Sequence, residues 1–120
     1  MGSAETFSAY LNAFTSGDLD AAMSLIDDNF VFEGPILQST GKDTFVEGSA
    51  TAAKMARGVK MLRQFEDDAE VVSIYKFELG APATPGSVLM MEWTTVRDGK
   101  LVSSRLVFDT AQFAALMPQA

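Results

Sequence analysis

The chain contains no cysteine and no histidine. Without cysteine there is neither a disulfide nor a thiolate nucleophile, and the core alone must hold the fold. Without histidine, the side chain that most often serves as base or metal ligand near neutral pH is missing. Any proton chemistry therefore falls to carboxyl and phenol groups. No run of roughly 18 apolar residues exists, so no membrane-crossing helix and no membrane partner is expected. The first residues lack a basic segment followed by an apolar one, so no secretion signal is expected and a cytoplasmic chain is. Positive charge is scarce: nine Lys and Arg stand against sixteen Asp and Glu, a net charge of −7. Such a surface repels phosphate backbones, which excludes nucleic acid as an expected partner. The one row of cations, Lys54, Arg57, Lys60 and Arg63, reads as the solvated edge of a helix. The acidic pairs and triplets, Asp27-Asp28 and Glu66-Asp67-Asp68, read as turns. No metal and no cofactor is expected.

What is present is a core-forming composition. The chain has 120 residues, of which 48% are apolar, enough for a single domain over residues 1–120. Phe7, Tyr10, Leu11 and Phe14 recur at the spacing of one helical face, and Gly17 followed by Asp18 ends that helix and caps the next. Helices are expected over about Ala4–Ser16 and Leu19–Ile26, and a third after Gly41 with a face of small residues including Ser49, Ala52 and Ala53. Phe30–Phe32 reads as a strand closed by Gly34-Pro35. From Leu62 the period switches to two, giving strands at Leu62–Phe65, Ala69–Leu79, Ser87–Arg97 and Lys100–Phe108. Asp109 opens a last short helix. Helices first and an antiparallel meander later make an α+β fold. A strongly bent sheet of this kind, with helices across its concave side, encloses a conical pocket.

Asp98-Gly99 is a two-residue hairpin turn. It sets Arg97 opposite Lys100, and continuing that register sets Trp93 opposite Ser104 and Glu92 opposite Arg105. On this register Met91, Trp93 and Ser104 face the pocket, while Glu92 pairs with Arg105 on the outer face. The expected lining is Tyr10, Phe14, Phe32, Met55, Phe65, Met91, Trp93 and Ser104, a greasy wall with two hydroxyls to orient a small apolar ligand. The outer face keeps Met90, Val96, Leu101 and Val107, and suggests a covered surface, most simply a homodimer contact.

The order of Tyr10–Asp20, Phe30–Pro35, Gly41–Phe45, the hairpin Asp98–Val102 and Arg105–Asp109 resembles the NTF2-like superfamily, with its SnoaL-like polyketide cyclases and ketosteroid isomerases. The resemblance implies a cone with one deep pocket and a homodimer, and no single reaction. By that resemblance Tyr10 falls on the oxyanion-binding tyrosine of ketosteroid isomerases. The general-base position falls on Gly34, and a second, protonated acid falls on Met91. Two helical aromatics fall on Gly48 and Ser49, which enlarges the pocket. Epoxide-hydrolase-type chemistry wants acids bridged by an arginine, and Arg105, Glu92 and Asp109 have the right types but fall on the outer face. The expectation is therefore an NTF2-like domain that binds a small, mostly apolar molecule without an intact isomerase set. Two alternatives remain open: a SnoaL-like enzyme (isomerase, cyclase or dehydratase) using Tyr10 and a carboxylate such as Glu33, and a dimerising adaptor.

Overall fold

Helix α1 (Ser3–Thr15) buries the four residues that its periodicity selects, Phe7, Tyr10, Leu11 and Phe14. The fold is taken from a computed structural model that describes residues 2–118. The first turn of α1 has no side-chain cap of its own; Glu66, far along the chain, accepts bonds from the Ala4 N–H at 2.8 Å and the Ser3 hydroxyl at 3.1 Å. Gly17, at φ +86°, turns the chain out of α1, and the Asp18 carboxylate accepts the Ala21 N–H to start α2 (Leu19–Ser24).

Six strands follow: β1 (Ile26–Glu33), β2 (Gln38–Thr40), β3 (Ala56–Asp67), β4 (Glu70–Leu79), β5 (Gly86–Arg97) and β6 (Lys100–Phe108). Helix α3 (Lys42–Met55) sits between β2 and β3, and α4 (Thr110–Leu116) ends the described chain. The strands form one strongly curved, unclosed sheet in the order β2-β1-β6-β5-β4-β3. β1 and β6 run parallel; the other neighbours are antiparallel. The α+β cone expected from the sequence is what forms, with α1 and α3 over the inner face of the sheet and an aromatic core between them. Phe45 of α3 meets Phe30 and Phe32 of β1 with ring centroids 5.1 and 5.0 Å apart. No helix among the described residues is long and apolar enough to cross a membrane.

Three expectations about elements need correction. β1 begins at Ile26, so α2 is shorter than its apolar run suggests and Asp27-Asp28 lies in a strand rather than a turn. β2 has three residues and no periodicity to show. α3 ends at Met55 and β3 begins at Ala56, so of the four cations read as one helix edge only Lys54 is helical. Arg57 instead ties the junction, donating to the carbonyls of Lys54, Ala56 and Ala81. Lys60 and Arg63 belong to β3.

The β5–β6 turn has the expected form, with positive φ at Asp98 (52°) and Gly99 (72°). A side chain at Gly99 meets no neighbour within 4 Å, so any penalty there is purely conformational. Gly99→Ala is expected to lower stability by about 1–2 kcal/mol, the difference between left-handed and ordinary backbone for an L residue. Urea unfolding measures this, and an unchanged midpoint would contradict the turn assignment.

Candidate functional site

The register of the last hairpin decides the chemistry of the cone. Near the turn, Arg97 pairs with Lys100 and Val96 with Leu101, as the two-residue turn requires. Thr95 then pairs with Ser103, so Val102 is an extra residue on β6. Beyond that bulge the pairs are Thr94–Ser104, Trp93–Arg105 and Glu92–Leu106. A slip of one residue exchanges the faces of the partner strand. Ser104, Leu106 and Phe108 keep the inner face expected for them. On β5 it is Val88, Met90, Glu92, Thr94 and Val96 that alternate inward, all buried.

The inner face, α1, α3 and the end of the chain enclose a cavity of about 260 Å³. Tyr10 and Phe14 of α1, Phe32 of β1, Met55 of α3, Tyr75 and Phe77 of β4, Met90 of β5 and Phe108 of β6 supply its walls, with Ile36 and Met117 among the other lining residues. Among the described lining residues Glu92 is the one carboxyl group, and it is only 4% exposed.

Three hydroxyls surround that carboxyl. Tyr75, diagonally across on β4, donates to Oε1 at 2.7 Å. Ser104, diagonal on β6, donates to Oε2 at 2.5 Å, and Thr94 lies 2.8 Å from Ser104 in turn. Burial raises the Glu92 pKa above its ordinary value, against which the Ser104 and Tyr75 bonds pull downward. Burial, then the Glu92 charge, pushes the Tyr10 and Tyr75 phenols well above theirs. Both tyrosines are therefore protonated donors, and Glu92 keeps its proton to higher pH than an exposed carboxyl does. An acid and donors of this kind can hydrogen-bond a ligand oxygen or move a proton.

Of the residues expected at the site, Tyr10, Phe14, Phe32 and Met55 do line the cavity. Ser104 points inward but stands behind Glu92 as its hydrogen-bond partner. Several placements are corrected. Met90, Val96 and Leu101, expected on the outer face, are buried in the core. Met91 and Trp93 lie on the outer face because of the Val102 bulge, and Phe65 pairs with Val72 on that same face, half exposed beneath Arg63. Glu33 also points outward, 3.2 Å from Arg105, with both side chains more than half exposed. The expected Glu92–Arg105 pair does not form. Gly48 lines the cavity, but the space left by its missing side chain is filled by Leu37, whose Cδ1 is 2.6 Å from where a Cβ would be. Tyr75 was not singled out by sequence reasoning; its signal is the alternation of β4, where Lys76 and Glu78 mark the outer face and leave Ser73, Tyr75 and Phe77 inside.

A protein-family model for the SnoaL-like domain matches residues 7–104. The chain belongs to the SnoaL-like domain family. No curated protein matches it. Among solved structures, this SnoaL-like domain is similar to a protein from Kribbella flavida DSM 17836 with 26% identity and a TM-score of 0.82, covering 92% of this chain and 88% of that one. It resembles TerC, co-crystallised with polyporic acid, at 20% identity and a TM-score of 0.78, covering 95% and 96%. It also resembles an LEH-like epoxide hydrolase from M. tuberculosis at 22% identity and a TM-score of 0.74, covering 93% and 86%. At identities this low the latter two speak for the fold.

A carboxyl whose folded pKa is raised binds its proton more tightly folded than unfolded. Its contribution to stability is full below the unfolded pKa and is lost as pH rises through the folded one. Glu92→Gln keeps the shape without the titration. Wild-type stability is expected to fall relative to this variant above about pH 4.5, by at most about 1.4 kcal/mol per pH unit. Urea unfolding of both proteins across mildly acidic to neutral pH gives the difference; two parallel curves would show that Glu92 titrates normally.

Proposed function

We propose that this SnoaL-like domain takes a small, mostly apolar carbonyl compound into its cone and moves a proton at the carbon beside the carbonyl, with Glu92 as acid and base. The observation that carries this reading is a buried carboxyl, the one among the described lining residues of a mostly apolar cavity, held by Tyr75 and Ser104. In the ionised form Glu92 accepts the proton from carbon. In the neutral form it returns the proton to carbon or to oxygen. Tyr10, which lines the same cavity from α1, donates to the carbonyl oxygen as negative charge develops there. The resemblance to ketosteroid isomerases supports a tyrosine donor on α1; the meander acid it implies falls on Met91, and Glu92 is the neighbouring residue that the bulge turns inward. Gly34 offers no separate base, so one carboxyl serves both directions. TerC, co-crystallised with polyporic acid, supports a small organic molecule as the occupant.

The test uses deuterium exchange. A panel of steroid, polyketide and terpenoid ketones is incubated in heavy water, and incorporation beside the carbonyl is followed by mass spectrometry. Wild type is expected to accelerate exchange for at least one compound, and Glu92→Gln to reduce that rate by about 10²–10⁴-fold. A variant that binds the same ketone and exchanges as fast as wild type would remove Glu92 from the reaction.

A homodimer through the outer sheet face is a second element of this reading. Phe65, Leu89, Met91, Trp93 and Val107 are each more than two-fifths exposed there and form an apolar surface on one side of the sheet. Trp93→Glu is expected to convert a dimer into a monomer in light scattering, with the fold intact by circular dichroism. A monomeric wild type at micromolar concentration would overturn it.

A further inference from the structure

A second cleft of about 250 Å³ lies between α2 and α3, walled by Leu19 and Met23 on one side and Val46, Ala50 and Ala53 on the other. It shares two residues with the main cavity, Phe14 and Ser49. α3 rests on β1 and β2 while α1 rests on α2 and the long strands, and the two helices share few contacts with each other. Phe14 and Ser49 therefore stand between the two spaces, one aromatic ring and one small hydroxyl side chain. We propose that the ligand is elongated: its carbonyl end lies at Glu92 and its apolar tail passes between Phe14 and Ser49 into the cleft between α2 and α3. This rests on the pocket reading above and names the substrate class, an apolar carbonyl compound with a long tail.

Three observations support the passage. The main cavity alone, about 260 Å³, falls below the roughly 300–1,000 Å³ of ligand pockets, and the added cleft of about 250 Å³ brings the total inside that range. α3 carries small residues where it faces α1 and α2, at Ser49, Ala50 and Ala53, so the gap stays open. Ser49, 8% exposed, turns its hydroxyl back to the Val46 carbonyl of its own helix at 3.5 Å, so an apolar tail can pass it without breaking a bond between elements.

The experiment measures affinity for methyl ketones of increasing chain length by calorimetry. Each methylene that enters the protein raises affinity about fourfold, and growth stops where the chain meets water. Wild type is expected to keep gaining beyond the length that fills the main cavity. Ala50→Trp fills the cleft from an exposed helical position that does not line the main cavity. It is expected to bind short ketones as wild type does and to plateau at a shorter chain. Ala53→Leu fills the same cleft and should behave alike if the tryptophan disturbs folding. A wild-type plateau at the main-cavity length, or plateaus unmoved in both variants, overturns the passage while leaving the pocket reading intact. Failure of short ketones to bind wild type overturns the pocket reading itself and the elongated ligand with it.

Discussion

One extra residue on β6, Val102, governs what this cone can do. β4 and β5 alternate in and out without a break, so the pairing of β5 with β6 decides which half of β5 faces the cavity. The bulge turns Glu92 inward and Trp93 outward while the tight turn at Asp98-Gly99 stays unchanged. The same slip pairs Trp93 with Arg105, whose guanidinium lies 5.9 Å from the indole ring, and leaves Arg105 free to meet Glu33. That outer ion pair is solvated and adds little stability. The inner carboxyl is a different matter, because water cannot share its charge.

Burying Glu92 carries a desolvation penalty that the structure answers with hydroxyls rather than with a cation. Tyr75 and Ser104 each bond one carboxyl oxygen, and Thr94 supports Ser104 from behind. A cation would lower the pKa and lock the ionised form. Hydroxyls satisfy either form, since each can donate to a carboxylate, and a hydroxyl can also accept from a neutral acid. The arrangement is thus suited to a group that changes protonation state without moving. Keeping cations out of the cone follows from the placement of all nine: none lines the main cavity.

The helices shape the space above this acid. α1 contributes Tyr10, Leu11 and Phe14 to the cavity, and α3 contributes Phe45 and Met55 together with the small residues Gly48, Ser49 and Ala52. Gly48 is an instructive exception: its missing side chain makes room for Leu37, not for a ligand. Shape arises from the loop that leans on the helix as well as from the helix itself. Membership of the SnoaL-like family accounts for the cone and leaves the chemistry to these particular side chains.

Much of the architecture was legible from the residues. Phe7, Tyr10, Leu11 and Phe14 mark the buried face of α1; Gly17-Asp18 marks the corner; Asp98-Gly99 marks the turn. Each is a local signal, set by backbone sterics and helical or strand periodicity within a few residues. Tyr10 and Phe14 at the cavity follow from the same periodicity. The face of β5 was not legible, because Leu89, Met91 and Trp93 are as apolar as Val88, Met90 and Val96, so alternation alone has two equal solutions. The choice comes from non-local pairing, where Tyr75 and Ser104 on the strands to either side supply hydroxyls that only one register can bring to Glu92. Sequence by itself thus determined the elements, the turns and the cone. Tertiary structure decided which acid is inside, because a bulge is stabilised by contacts across strands far apart in the chain.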